Sequence, residues 1–246
     1  MRDTSATVDP SEIDRFAAQA AGWWDPAGSL RALHRMNPTR LGFIREQLQA
    51  HFRRDPSSLR PFEGLSLLDI GCGGGLAAEP MARLGFTVTG IDAGDEAIAV
   101  AQAHAEATSL AVDYRVAAAE SLAAAGERFD AVLALEVIEH VADPTAFFAS
   151  VGALVQPGAA FIGATINRTA RSFALAIVGG EYIFRWVPPG THDWRKFLRP
   201  SEFVLGLRRN GLLATHLTGV VYDPFRGEWS LSPDLRVNYM VAAVRR

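Results

Sequence analysis

Apolar and polar positions change period repeatedly along the chain, and each change marks an element. Between residues 11 and 53, apolar side chains recur at helical spacing in two runs, Glu12 to Ala21 behind Ser11 as N-cap and Thr39 to Phe52. The turn-rich Trp23-Trp24-Asp25-Pro26-Ala27-Gly28 joins them. Pro56 to Gly64 then punctuates the chain, and Leu65 to Ile70 is a short continuous apolar run, the pattern of a strand buried on both faces. Beyond it the spacing predicts helices over Leu76 to Leu84, Asp95 to Ala107 and Pro144 to Leu154. They alternate with strands over Thr87 to Ile91, Val112 to Val116, Phe129 to Leu135 and Ala159 to Thr165. Such alternation predicts an α/β fold with a Rossmann-like, doubly wound, mostly parallel sheet. The pattern breaks from Asn167 to Pro200. A helix over Ser201 to Asn210 and strands over Leu212 to Val221 and Val237 to Val244 then complete a predicted seven-stranded sheet with an antiparallel edge.

With 246 residues, 49% of them apolar, the chain can bury a sizeable core as one elaborated domain. Residues 1–60 are expected as an N-terminal helical cover and 167–200 as a substrate- or membrane-facing insertion. A net charge of -3 supplies no global basic field for a polyanion, so nucleic acid is not an expected partner. The single cysteine, Cys72, cannot form an intrachain disulfide and fits a reducing compartment, which makes the cytoplasm the expected location. Met1 to Asp14 has neither the order of a signal peptide nor the look of a transit peptide. The longest strongly apolar, uncharged stretch of the C-terminal half, Ser172 to Gly180, is nine residues, against the roughly 20 of a membrane span.

Chemistry enters at Leu68-Asp69-Ile70-Gly71-Cys72-Gly73-Gly74-Gly75, where a strand opens onto a helix through glycines. Glycine allows the tight turn and lets backbone N–H groups approach a ligand closely. The next strand ends in Asp92, 21 residues beyond Gly71, where a ribose diol would lie. A dehydrogenase fingerprint needs a small residue where Leu76 stands. The G-x-G-x-G spacing behind Asp69 instead resembles the first motif of class I S-adenosylmethionine-dependent methyltransferases. That resemblance implies Gly71 and Gly73 against the amino-acid part of the cofactor and Asp92 on its ribose. Cys72 reads as a small loop residue rather than a nucleophile.

The strand Phe129 to Leu135 runs into Glu136-Val137-Ile138-Glu139-His140, at the carboxyl edge where open α/β sheets bind ligands. If the chain turns helical there, Glu136, Glu139 and His140 share one face. Three readings stand beside one another. The trio could hold a divalent ion; Glu139 could cap a helix and His140 pack or contact cofactor; or His140 or Glu136 could be the general base that takes a hydroxyl proton.

Further segments narrow the likeness. Leu33-His34-Arg35-Met36-Asn37-Pro38-Thr39-Arg40, Leu67 to Gly75, Glu136 to His140, Glu181-Tyr182-Ile183, Gly190-Thr191-His192-Asp193 and Val237-Asn238-Tyr239-Met240 together resemble the ubiquinone biosynthesis O-methyltransferases, from about Ile13 to Tyr239. The resemblance implies methyl transfer to polyprenyl catechols and demethylubiquinol. It also implies Arg40 and Leu135 beside the cofactor, and Mg2+ or another divalent ion on Glu136, Glu139 and His140. Close relatives often carry methionine at the positions of Leu135 and Val137, an apolar-for-apolar difference.

The insertion alternates Arg168, Arg171, Arg185, Arg195, Lys196 and Arg199 with aromatic and aliphatic residues such as Phe173, Tyr182, Phe184, Trp186 and Trp194. By itself this fits a lid over a site as well as a surface lying on a bilayer. A polyprenyl substrate favours the second: peripheral contact with the anionic inner face of the cell membrane, and a ubiquinone-biosynthesis complex as partner. The rival functions are a methyltransferase for another small phenol or carboxylate and a non-catalytic cofactor-binding scaffold.

Overall fold

In the computed structural model, which describes residues 7–17, 20–173 and 193–246, two helices precede the sheet: α1 (Pro10–Ala17) and α2 (Arg31–Phe52). The alternating region follows as β1 (Ser66–Ile70), α3 (Ala78–Arg83), β2 (Thr87–Asp92), α4 (Asp95–Ala107), β3 (Val112–Val116), α5 (Ala119–Ala124), β4 (Phe129–Leu135), α6 (Pro144–Leu154) and β5 (Val155–Ile166). A short α7 (Ala170–Ser172), then α8 (Pro200–Arg209), β6 (Leu212–Asp223), β7 (Glu228–Ser232) and β8 (Asn238–Arg245) complete it. Residues 18 and 19 of the first predicted helix, and Arg185, Glu181 to Trp186 and Gly190 to His192 of the insertion, lie outside the described residues.

The strands form one sheet in the order β3-β2-β1-β4-β5-β8-β6-β7. The first five are parallel and the last three add antiparallel pairs. Alternation along β1 divides the core. Leu67 joins Ile44 and Leu48 of α2 and Met81 of α3 on one face, whereas Leu68 and Ile70 join Phe147 and Val151 of α6 on the other. Both faces being covered explains why β1 reads as an uninterrupted apolar run.

The structure departs from the sequence reading at four places. The sheet has eight strands, not seven. β7 is a short edge strand, Glu228-Trp229-Ser230-Leu231-Ser232, too polar for its period to stand out, yet it folds Trp229 back against α2, where the Trp229 carbonyl accepts from Thr39 Oγ1 at 3.0 Å. Helix α2 begins at Arg31 instead of Thr39 and contains Pro38. Proline normally ends a helix, but Met36, Asn37 and Arg40 around it are buried, and that packing outweighs one missing backbone hydrogen bond. β5 starts at Val155, four residues earlier than its apolar run, and α5 is an alanine-rich helix that carries little periodic signal. Among the described residues no helix is long and apolar enough to cross a membrane.

Candidate active site

The loop after β1 needs its glycines. Gly71 and Gly73 have φ of 66° and 52°, a region that strains L side chains. A Cβ at Gly71 would lie 2.5 Å from Val137 Cγ2, and one at Gly73 would lie 1.9 Å from the Trp23 ring. Neighbouring β2 ends beside this loop, so Asp92 ties the two loops together: one oxygen accepts from Gly73 N–H at 3.0 Å, the other from Gly94 N–H, two residues on in its own loop, at 2.9 Å. The N-terminal segment grips the loop from above. Asn37 Nδ2 donates to the Leu76 carbonyl at 2.8 Å and Trp24 Nε1 to the Gly74 carbonyl at 2.9 Å.

A cavity of about 670 Å³ opens at this edge, and Gly71, Asp92, Leu135, Arg40, Glu136 and His140 all line it. Asp69 lines it too, almost wholly buried, with Oδ2 lacking a partner. Burial raises its pKa to about 7, with Arg40 pulling it down and Asp92 adding to the rise. Burial also raises Asp92, against the N–H groups it accepts from. Cys72 is buried and its thiol is pushed well above the usual range by burial, which keeps it un-ionised and suits a small loop residue.

The acidic segment departs from its predicted geometry. Glu136 has φ 53°, and the only helical turn nearby is 3-10, Ile138–His140. One shared helical face for Glu136, Glu139 and His140 therefore does not form, and each side chain finds its own partner. Glu136 makes an ion pair with Arg40, whose other terminal nitrogen donates to Asn37 Oδ1 at 2.9 Å; Arg40 Nε has no partner. Glu139 is buried, accepts from Thr165 Oγ1 at 2.8 Å through Oε2, and leaves Oε1 without a hydrogen bond. Burial, then the charge of Glu136, raises the Glu139 pKa to about 8. His140 Nδ1 lies 3.0 Å from Glu12 Oε2, and its ring meets Phe16 edge-on at 5.1 Å. Among the described residues no three His, Cys, Asp or Glu side chains gather into a metal-sized cluster. As placed, the trio does not make a ligand set.

Several wall residues escaped the sequence reading. Glu12 and Phe16 stand four apart on α1, a spacing that shares a face and was a usable signal. Lys196 bridges Asp9 and Glu12 at 3.2 and 3.4 Å, tying α1 to the segment before α8. Trp229 and Tyr222 reach the cavity from the β6–β7 hairpin, and no local pattern announces that.

A family profile described as a methyltransferase domain matches residues 68–163. The ubiquinone biosynthesis O-methyltransferase of Paramagnetospirillum magneticum is 53% identical over 243 residues, covering 99% of this chain and 97% of the relative. The protein of the same name from Cereibacter sphaeroides is 54% identical over 245 residues, 99% of each chain. Among solved structures, the magnesium protoporphyrin IX methyltransferase of Synechocystis with bound SAH superposes with a TM-score of 0.67 at 20% identity, over 96% of this chain and 100% of that one. The last likeness speaks for the fold alone.

Proposed function

The chain belongs to the ubiquinone biosynthesis O-methyltransferase family, and from that premise we propose that its cavity carries out methyl transfer from S-adenosylmethionine to a phenolic oxygen of polyprenyl catechol and demethylubiquinol intermediates. The observation that carries this reading is that one cavity brings the glycine loop clasped by Asp92 against the Glu136–His140 segment. The donor supplies an electrophilic methyl group on a sulfonium centre. Gly71 and Gly73 lie along its amino-acid part, Asp92 takes the ribose hydroxyls, and Leu135 packs beside it. Arg40, with its unpartnered Nε in the wall, receives the carboxylate.

Transfer needs alignment and exclusion of water rather than a covalent enzyme intermediate. As the O–CH3 bond forms and the S–CH3 bond breaks, the phenolic proton must leave, and His140 accepts it. Glu12 faces Nδ1 of that ring, so it holds the imidazole with Nε2 as the acceptor. Glu136 is less available to take the proton, because Arg40 already occupies its carboxylate. Glu136, Glu139 and His140 are engaged separately, by Arg40, Thr165 and Glu12, and do not gather as a ligand set.

The acceptor's prenyl tail argues for peripheral contact with an anionic membrane on its cytoplasmic side, within reach of other ubiquinone-biosynthesis enzymes. Phe173 and Arg171, each 48% exposed, and Arg195, 85% exposed, supply the chemistry for it at the two ends of the insertion. The covers assigned to residues 1–60 and 167–200 serve donor and acceptor respectively.

The decisive experiment is a methyl-transfer assay with a prenylated catechol, with and without chelator. Turnover on the prenylated acceptor supports the reading. Turnover only on soluble phenols replaces the acceptor class, and none at all favours a scaffold. Turnover abolished by chelator and restored by Mg2+ would show that the acidic trio rearranges around an ion. Liposome binding unchanged after replacing Arg171, Arg185 and Arg195 by glutamate would sink the membrane contact.

A further inference from the structure

Trp24 takes no part in the chemistry above and does not line the cavity, unlike Trp23. It nevertheless holds the outer side of the glycine loop through its bond to the Gly74 carbonyl, 2.9 Å. The same indole lies flat on the imidazole of His104, with ring centroids 3.5 Å apart and planes 6° from parallel. His104 stands in the last turn of α4, and its Nδ1 is 2.6 Å from Glu79 Oε1. Glu79, in the first turn of α3, has a side chain only 2% exposed, and its backbone N–H donates to the Gly75 carbonyl at 3.0 Å. The contacts leave the loop at Gly74, pass through three side chains, and return to it at Gly75.

Each link has a physical reason to persist. A buried carboxylate needs a donor, and His104 provides one at hydrogen-bond distance, with Arg83 more distant at 3.7 Å. An imidazole whose N–H is directed to a carboxylate presents a polarised face, which stacks favourably on the electron-rich indole. His34 closes the other side: its ring is edge-on to Trp24 at 6.4 Å, and its Nε2 is 2.8 Å from the Trp23 carbonyl. The indole N–H thus has one place to point, the Gly74 carbonyl. The peptide so held carries the Gly75 N–H, which donates to the Cys72 carbonyl at 2.9 Å, and that carbonyl shares its peptide with the Gly73 N–H that Asp92 holds from the cavity side at 3.0 Å.

We propose that Trp24, His104 and Glu79 form a brace behind the glycine loop and are positioning residues that set affinity for the methyl donor. The proposal rests on the reading that this loop holds the donor. Binding of S-adenosylhomocysteine to the wild-type protein by calorimetry tests that reading first and separately. The brace is then tested by a double-mutant cycle. Trp24→Phe keeps a ring to stack but removes the N–H, and should weaken S-adenosylhomocysteine binding about fivefold, while kcat at saturating donor and KM for the acceptor stay within about twofold. His104→Phe keeps the stack but cuts the link to Glu79, and should weaken binding to a similar degree. In the His104→Phe background the Trp24→Phe change should cost less than about twofold, because the brace is already broken. Independent, additive effects would overturn the proposal, as would equal losses in donor and acceptor parameters, the mark of general loosening. If His104→Phe fails to fold, with the Glu79 carboxylate left uncompensated, His104→Phe combined with Glu79→Gln replaces it as the background, since the link stays cut and no charge is buried.

Discussion

Asp69 offers a measurable consequence of burial. In the donor-free protein its pKa is raised to about 7, chiefly by burial, and its Oδ2 has no partner. The donor brings an ammonium group that is charged below about pH 8, into a cavity that Asp69 lines next to Gly71. Cation binding beside a carboxylate favours its ionised form, so donor binding should expel the Asp69 proton. With a pKa of about 7 in the donor-free protein, uptake of S-adenosylhomocysteine should release about 0.9 proton near pH 6 and about 0.5 near pH 7. Calorimetric titration in buffers of different ionisation enthalpy reads that number as a slope. Asp69→Asn should reduce the slope to near zero at both pH values. No release at about pH 6 in the wild type, or an unchanged slope in Asp69→Asn, would refute the reasoning. The same shift has a stability sign. A carboxyl raised in the folded state stabilises fully below its unfolded pKa of about 4, and that contribution is lost as pH rises towards 7.

Other outcomes follow from the same geometry. Gly73→Ala forces a Cβ into Trp23 at a φ of 52° and should weaken donor binding at least tenfold, while the left-handed backbone alone costs about 1–2 kcal/mol of stability, visible by thermal melting. His140→Ala should lower kcat by roughly 10²-fold or more with S-adenosylhomocysteine affinity unchanged, and Glu12→Gln should shift the pH profile of kcat with a smaller loss; a flat response in both would remove His140 as the base. Glu139→Gln should melt close to wild type below about pH 5 and increasingly above it as pH approaches 8, because ionising the buried acid opposes folding; equal melting at all pH values would contradict the raised pKa.

The glycine loop, Asp92, the parallel strands and the helices between them other than the alanine-rich α5 were legible because each is specified locally, by period or by a short motif. The acidic trio was legible as a segment but not as a geometry. The left-handed backbone at Glu136, a non-glycine residue, leaves no trace in spacing, and it sends neighbouring carboxylates to Arg40 and Thr165. β7 was missed because an edge strand paired on one side needs little apolar content. The helical spacing of Glu12 and Phe16 could mark a shared face, but the partner of Glu12, His140, lies 128 residues away, and only the fold brings the two together.

The contact that excludes a side chain from Gly71 belongs to Val137, a residue of the Glu136–His140 segment. The glycine loop and the Glu136–His140 segment are therefore in van der Waals register, and neither can be altered in isolation. Substitutions that enlarge position 137 push on the backbone at Gly71, whereas substitutions at Phe16 on α1 leave that contact alone. In an evolving lineage, acceptor range would drift at the α1 side of the cavity while position 137 stayed confined to side chains no larger than the cradle tolerates.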